Sequence, residues 1–226
     1  MKTITIRPFA AFKLLTLGFL ALVLLLLNGC HWVGVHGNGR LTTDTRPVTE
    51  FTRVEADGAF DVRWTTGAPA LSIRTDENLM DYIHTTISGD KLRIEWVKPL
   101  RGTHGIKIDI ASRSLTRAQL NGAVRFNASR LSGTEFYLEG NGATRITLEG
   151  AVNAVSAELN GASRLDAEAL TTHAMELSIS GAGRAEVNVS EALKVDISGA
   201  GKVIYSGHPK TVDKSISGAG SIRPKD

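Results

Sequence analysis

Charged side chains recur at a nearly constant interval in the C-terminal half of the chain and could carry chemistry. The basic members of this series are Arg125, Arg145, Arg164, Arg184 and Lys202. A row of cations at nearly constant spacing predicts a surface that grips an anionic polymer. The alternative is a solvated face, because acids six positions earlier, at Glu139, Glu158 and Asp196, would offset the like charges.

Paired carboxylates are the other arrangement that could do chemistry, since glycoside hydrolysis places two of them around the scissile bond. Asp166 and Glu186 occupy equivalent positions in successive repeats and form the best candidate pair. The remaining acids are spread along the repeats and interleaved with bases, which is typical of a solvated surface. We therefore expect no catalytic residues, and a polysaccharide lyase or hydrolase is the alternative.

Metal and cofactor chemistry have little support in the sequence. The histidines are His31, His36, His84, His104, His173 and His208, and none has the spacing of metal ligands. Cys30 is the only cysteine, so the chain can form neither an internal disulfide nor a zinc site built on several thiolates. We expect no metal and no cofactor.

Residues 1–29 have the composition of an export signal peptide. Three cations, Lys2, Arg7 and Lys13, precede an apolar run over residues 14–27. This run is shorter than the roughly 20 residues that span a bilayer, so a retained transmembrane helix is the weaker interpretation. We predict that the segment directs export.

The apolar run ends in Leu27-Asn28-Gly29-Cys30, which resembles a bacterial lipobox. In that motif a small residue precedes a cysteine that is lipidated and becomes the mature N-terminus. We therefore predict lipid attachment at Cys30 and membrane association through that lipid. His31 follows, and by analogy with Gram-negative lipoproteins the lack of an acid there indicates the outer membrane.

The basic character of the whole chain comes from the signal segment. The formal net charge is +3, and residues 1–29 hold three of the 26 basic residues and no acid. Removal of the segment leaves 23 basic against 23 acidic side chains. A strongly basic surface for nucleic acid is therefore not expected.

The candidate side chains belong to a repeat that is marked by a glycine. The repeated glycines are Gly122, Gly142, Gly161, Gly181, Gly199 and Gly218. Each follows Asn or Ser, which favours a stacked hydrogen-bond ladder, and precedes Ala. A nearly constant period of roughly 18–20 residues indicates an array of stacked supersecondary units.

Apolar residues alternate with polar ones around each glycine, which predicts strands with one buried face. Stacked copies of such a unit can bury a continuous core that one copy cannot. We therefore predict an all-β fold, a right-handed parallel β-solenoid (β-helix) with rungs of about 19–20 residues.

The domain organisation follows from this repeat. We assign residues 1–29 to a lipoprotein signal peptide, 30–50 to the lipidated cysteine and a tether, and 51–226 to a single solenoid domain. Residues 118–222 are the regular repeats, and 51–117 are irregular early rungs or a packed β subdomain that caps the stack. A turn or short helix is predicted over residues 76–83, which begin with capping residues.

Several short motifs occur in the order found in a known family. They are Gly37-Asn38-Gly39-Arg40, Phe51-x-x-Val54, Gly58-Ala59-Phe60-x-Val62, Asp76-x-Asn78-Leu79, Gly89-x-Lys91-Leu92-x-Ile94, the Ser-Gly-Ala-Gly turns and Tyr205-x-Gly207-x-Pro209. Over residues 37–222 the chain resembles the putative auto-transporter adhesin head domain, called the GIN domain. The resemblance implies a β-solenoid in secreted or lipid-anchored bacterial envelope proteins, and it supplies no catalytic residues.

These observations favour a lipid-anchored protein of the cell envelope that acts by binding and is not an enzyme. Its partner would be a surface or periplasmic glycan or an envelope protein, and the basic row would be the binding surface. A structural self-assembly module is the remaining alternative, since open solenoid ends can stack.

Overall fold

Alternating apolar and polar residues make residues 34–225, the part of the chain that the structure describes, almost entirely extended. The structure is a computed structural model. Its strands are β1 Val35–His36, β2 Leu41–Arg46, β3 Arg53–Gly58, β4 Asp61–Thr66, β5 Ala70–Asp76, β6 Ile83–Ser88, β7 Lys91–Trp96, β8 Leu100–Arg101, β9 Lys107–Ser112, β10 Arg117–Gly122, β11 Arg125–Gly142, β12 Arg145–Gly161, β13 Arg164–Gly181, β14 Arg184–Gly199, β15 Lys202–Ser206, β16 Thr211–Gly218 and β17 Ser221–Pro224. A 3-10 helix, Glu77–Tyr82, confirms the helical turn predicted over residues 76–83.

Strands β10 to β17 wind into a parallel β-solenoid of about five turns, which confirms the predicted fold class. Each turn has three faces. Face A ends at the corner glycine, face B begins three residues after it, and face C returns the chain to the next face A. Successive turns pair in register, so Arg125 lies beside Arg145 and Gly142 beside Gly161.

The corner glycines are required for two reasons. Their φ angles lie between +88° and +123°, a region that L side chains rarely adopt. A Cβ atom at any of the six would also lie only 2.5–2.6 Å from the carbonyl oxygen of the corresponding glycine one turn earlier. The repeated glycine therefore permits both the bend and the close stacking of one turn on the next.

The core lies inside the turns and runs along the whole stack. Inward side chains such as Leu120, Phe126, Leu159, Ile179 and Val187 are each at most 1% exposed. They occupy every second position of the strands, as the period-2 pattern predicts. Stacked apolar rows of this kind supply most of the stabilising free energy of the fold.

The N-terminal end of the stack does not follow sequence order. Strand β3 lies between β7 and β10, and β4 lies between β9 and β11, all in parallel pairs. The turn formed by residues 91–112 therefore lies outside the turn formed by residues 53–66, although it comes later in the chain. Residues 51–117 thus extend faces A and B of the stack by two further strands each.

Antiparallel strands cover this end. Strand β6 pairs with β7, and β2 and β9 both pair with β5. The 3-10 helix places Leu79 in the core with 0% exposure. Within residues 34–225 this end therefore presents edge strands and no open core.

A buried carboxylate joins the segments of this cover. Asp76 is 0% exposed and accepts hydrogen bonds from the Gly39 amide at 2.7 Å and from the Thr103 hydroxyl and amide at 2.5 and 2.8 Å. These bonds hold its pKa below the ordinary value, with the Thr103 hydroxyl as the main cause. Asp76 thus ties the segment near Gly39 to the loop near Thr103.

Residues 35–50 differ from the tether expected there. Strand β1 pairs with β8, and β2 pairs with β5 along its full length. Asn78 accepts a hydrogen bond from the Asn38 amide at 2.9 Å and donates one to the His36 carbonyl at 2.8 Å. These contacts place residues from Val35 onward in the folded unit.

Candidate ligand-binding surface

The cationic stripe consists of Arg125, Arg145, Arg164, Arg184 and Lys202, and the structure aligns all five. Each lies directly beside the next in the parallel register. Since neighbouring strands lie about 4.8 Å apart, the row is roughly 19 Å long. The repeat period creates this alignment, because each residue is the third after its corner glycine.

Acidic partners hold part of the stripe. Arg184 donates to Glu186 at 2.7 Å, and Arg164 lies 3.6 Å from the same carboxylate. Arg125 pairs with Asp61 at 3.3 Å. The arginine side chains of these pairs are 41–52% exposed and the acidic ones 18–28%. Each pair contributes at most about 1 kcal/mol, so the pairs orient the guanidinium groups more than they stabilise the fold.

Two members of the stripe lack an acidic partner. Within residues 34–225, Arg145 and Lys202 form no ion pair. Arg145 is exposed and lies between Arg125 and Arg164. The stripe therefore contains, between two paired arginines, a cation that is available to an anion from solution.

The two faces beside the glycine corner differ in net charge. On face B, residues 125–129, 145–149, 164–168, 184–188, 202–206 and 221–225 carry seven basic and four acidic side chains, a net of +3. On face A, residues 117–122, 137–142, 156–161, 176–181, 194–199 and 213–218 carry three basic and five acidic ones, a net of −2. An anionic ligand would thus be drawn to face B, where the stripe lies.

The asparagines before the corners form the expected ladder. Asn160 donates to Asn141 and Asn141 to Asn121, each at 2.9 Å, and Asn121 donates to Asp57 at 2.5 Å. Asn141 also donates to Glu139, which is the main reason that the pKa of Glu139 lies below its ordinary value. These amide groups are satisfied by one another, so the ladder stabilises the corner.

The carboxylate pair of Asp166 and Glu186 does lie side by side on adjacent turns. The hydrogen bond from Arg184 lowers the pKa of Glu186 below its ordinary value. A general acid needs the opposite shift, so that it remains protonated near neutral pH. The geometry therefore favours a role for Glu186 in positioning the stripe.

A groove of ≈ 400 Å³ runs along the edge between face C and face A. It is lined by a row of alanines on neighbouring strands, Ala154, Ala174 and Ala192, and by Tyr137 and Glu176. The Arg117 guanidinium already stacks on the Tyr137 ring at 5.0 Å. The groove is apolar, and its backbone groups are used in the parallel ladders.

The structure also bears on metal binding and on membrane-spanning helices. Within residues 34–225 no three His, Cys, Asp or Glu side chains are grouped as metal ligands. In the same range no helix has the length and apolar character needed to cross a membrane. Cys30 and the predicted signal peptide lie outside the described residues.

The class of protein that the fold defines is a parallel β-solenoid, here with a row of cations along one face. The family profile described as putative auto-transporter adhesin, head GIN domain, matches residues 50–209. The chain therefore belongs to this family. No curated protein matches the sequence.

Solved structures with the same fold include proteins from the genera Bacteroides and Parabacteroides. A putative adhesin from Bacteroides fragilis is 21% identical, with a TM-score of 0.67 over 85% of this chain and 100% of that one. A putative adhesin from Parabacteroides merdae is 19% identical, with a TM-score of 0.57 over 85% and 99%. A putative lipid binding protein from Parabacteroides distasonis is 21% identical, with a TM-score of 0.50 over 85% and 99%.

Sequence reasoning missed two members of the stripe's column, Asp61 and Lys107. Asp61 lies beside Arg125 and reverses the charge at that end of the stripe. The signal was present, because Asp57-Gly58-Ala59 repeats the corner motif and Asp61 is the third residue after Gly58. The long stretch of sequence between Gly58 and Gly122 concealed that the two corners are neighbours in space.

Proposed function

We propose that this protein is a non-catalytic binding protein of the bacterial cell envelope that holds an extended anionic polymer along the cationic stripe. The observation that carries the proposal is the in-register row of five cations, in which Arg145 lacks an acidic partner within residues 34–225. An extended polyanion with repeated charges can meet several cations at once, and each extra contact adds effective concentration for the next. Acidic polysaccharides have this chemistry.

The proposed location rests on Cys30 and on the family. Lipid attachment at Cys30 would anchor the domain to the membrane, and the family consists of adhesin-like domains. A single acyl anchor binds weakly, whereas a lipoprotein with several acyl chains stays in its membrane. We place the protein at the outer membrane, with its solenoid directed to a surface or periplasmic partner.

The stripe is tested with polygalacturonate as the anionic polymer and dextran as the uncharged one. Replacement of Arg145 and Arg164 by Gln should weaken polygalacturonate binding at least tenfold, because two adjacent cations are lost. The matched control replaces Arg113 and Lys210, which are exposed bases away from the stripe, and should leave binding within twofold. Equal losses in both variants, or equal binding of dextran, would refute the stripe.

Protease treatment of intact and permeabilised cells tests the location. Cleavage of the protein on intact cells would favour adhesion to an external glycan, whereas cleavage only after permeabilisation would favour a periplasmic partner. Replacement of Cys30 by Ser should release the protein from the membrane fraction. Retention of the variant in that fraction would contradict the lipid anchor.

Catalysis is tested separately on the same polymer. Incubation with polygalacturonate should give no new reducing or unsaturated ends over many hours. If such ends appear and vanish when Asp166 and Glu186 are both replaced by amides, the polysaccharide lyase or hydrolase is the better description.

A further inference from the structure

The last turn of the solenoid has two free strand edges. Within residues 34–225, β16 pairs only with β14 and β17 pairs only with β15. The outer side of each strand therefore carries backbone groups that no described strand meets. Free edges of this kind can accept an added strand.

The register identifies which groups of β16 point outward. The Tyr137 amide donates to the Thr116 carbonyl of the preceding turn, and Asp213 occupies the same column as Tyr137. Because alternate residues of a strand face opposite neighbours, the backbone groups of Asp213, Ser215 and Ser217 are directed to β14. The N–H and C=O groups of the remaining residues are thus left on the free side, namely those of Val212, Lys214, Ile216 and Gly218.

Strand β17 offers a poorer edge. The Ser221 and Lys225 amides donate back toward the preceding turn, to Gly201 and Tyr205. The residues directed outward are therefore Ile222 and Pro224. Proline has no N–H group, so this short edge lacks one of its two donors. An added strand would find complete backbone pairing on β16 only.

Lys214 is the charged residue among those of β16 whose backbone groups are directed to the free side. It occupies an inward column whose earlier members, Leu138, Ala157, Leu177 and Val195, are all buried and apolar. Within residues 34–225 Lys214 has no ionic partner. Its neighbours in the same inward set, Val212 and Ile216, are 37% and 42% exposed.

We propose that the β16 edge binds an extended peptide segment of a partner protein with an acidic residue between two apolar ones, in the pattern apolar–x–acidic–x–apolar. The acidic side chain would meet Lys214, and the apolar ones would cover Val212 and Ile216. The pattern reads the same in both directions, so it fits a parallel or an antiparallel strand. Opposite charges across a strand pair stabilise it, and like charges destabilise it.

The same lysine disfavours a second copy of this chain as the occupant. If two β16 strands pair antiparallel so that Val212 faces Ile216, Lys214 faces Lys214. Every earlier strand of face A in the regular repeats carries an apolar residue at this position and would leave the lysine unpaired when stacked on it. Selectivity thus comes from both attraction of an acid and rejection of the alternatives.

The test measures the binding of labelled peptides to the full mature domain by fluorescence anisotropy. The probe is Thr-Val-Ser-Glu-Ser-Ile-Ser-Gly, which follows β16 but has serine at the position of Asp213 and glutamate at the position of Lys214. The control peptide differs only by lysine in place of glutamate. We expect the glutamate peptide to bind at least tenfold more tightly than the lysine peptide, and the ratio to fall at high salt.

Charge reversal in the protein supplies the decisive comparison. Lys214→Glu should invert the preference, so that the lysine peptide binds at least tenfold more tightly. Lys214 is exposed, so an unchanged melting temperature is expected and checks the fold. A preference that survives the reversal would overturn the proposal, as would equal affinity of the two peptides or binding of neither.

A second pair of variants tests the backbone pairing. Ile216→Pro removes an outward N–H group without removing a bond to β14, and it should abolish binding of the glutamate peptide. Ile216→Val keeps that group and should bind within threefold of the unaltered protein. Equal binding by the two variants would contradict strand addition at β16.

Discussion

The two ends of the solenoid differ in how far the apolar core is covered. At the N-terminal end, β2, β6 and the 3-10 helix cover the core, and Leu79 is 0% exposed. At the C-terminal end the last turn has no cover among residues 34–225, and Ile216 is 42% exposed. Both ends consist of the same kind of turn, so the difference lies in what the chain adds to it.

This difference shows that the core is covered by residues that do not follow the repeat. The covering strands pair antiparallel and come from residues with no glycine period. The last turn keeps the repeat and changes single residues instead, with Lys214 in an apolar column and Pro224 on an edge. The N-terminal end is thus covered by further strands, whereas at the C-terminal end a charge and a proline disfavour additional strand pairing.

The largest effect is expected for a corner glycine that has a turn on both sides. Gly122→Ala should lower the free energy of unfolding by at least about 3 kcal/mol, since its φ of +103° alone costs about 1–3 kcal/mol for an L residue. The new Cβ would also lie 2.5 Å from the Gly58 carbonyl oxygen, with Gly142 stacked on the other side. Urea denaturation measures the change.

Gly218→Ala is the matched variant at the open end. It introduces the same contact, 2.5 Å from the Gly199 carbonyl oxygen, at a φ of +121°. Within the described residues no turn is stacked beyond Gly218, so the strand can move, and we expect a loss of about 1 kcal/mol. Equal losses for the two variants would show that the ends are equally rigid.

Side-chain truncation should reveal the same asymmetry. Leu79→Ala should cost about 2–5 kcal/mol, because it leaves a cavity in a fully buried site. Ile216→Ala should cost less than about 1 kcal/mol, because the side chain is already partly in water. Thermal and urea unfolding of the two variants measure the difference, and losses of similar size would contradict a closed N-terminal end.

Loss of the buried Asp76 carboxylate at the N-terminal end should lower stability more than loss of an exposed carboxylate at the C-terminal end. Asp76→Asn should cost about 2–3 kcal/mol at neutral pH, because the bonds from Gly39 and Thr103 lose a charged acceptor. Asp213→Asn, an exposed carboxylate in β16, should change stability by less than about 0.5 kcal/mol. Urea denaturation at pH 7 compares the two variants.

The pH dependence of Asp76 has a definite sign. Its folded pKa lies below the ordinary value, so its contribution is complete above the unfolded pKa of about 4 and disappears as pH falls through the folded pKa. Stability of the unaltered protein should therefore fall with acidification below about pH 4. Asp76→Asn should flatten this dependence, and parallel curves for the two proteins would contradict the assignment.

The smallest change in stability is expected for Lys214→Val, which should alter unfolding by less than about 0.5 kcal/mol. Its effect should be on association, because the inward set at positions 212, 214 and 216 of β16 would then be entirely apolar. Sedimentation over a range of concentrations should reveal dimers of the variant and not of the unaltered protein. A monomeric variant would mean that Pro224 and geometry, and not the lysine, keep the end free.

The sequence predicts the part of the fold that repeats. The spacing from Gly122 to Gly218 is sufficient to align Arg145 with Arg164, because register follows directly from a constant period. The charges that pair with the stripe are harder to predict from the sequence. Asp61 pairs with Arg125 although the two are far apart in the sequence, and only the faint corner motif at Gly58 indicates that they are neighbours.

The closed end is not predictable by the same reasoning. Leu41–Arg46 is mostly polar and looks like a linker, yet it pairs with β5 because its backbone groups complete a sheet edge. The sequence predicts that Asp76 caps a helix, whereas in the structure its carboxylate accepts hydrogen bonds from amides of two distant segments. Such long-range contacts leave no periodic trace in a single sequence.

Because β3 lies between β7 and β10, a nascent chain cannot complete its first turns in the order of synthesis. One side of β3 can pair only after β7 has been synthesised, and the other side only after β10 has been synthesised. Turn-by-turn winding can begin only after that point, since each later turn needs just its predecessor. Ribosome-bound chains that stop before Gly122 should therefore remain sensitive to protease, and protection should then rise in steps of one repeat.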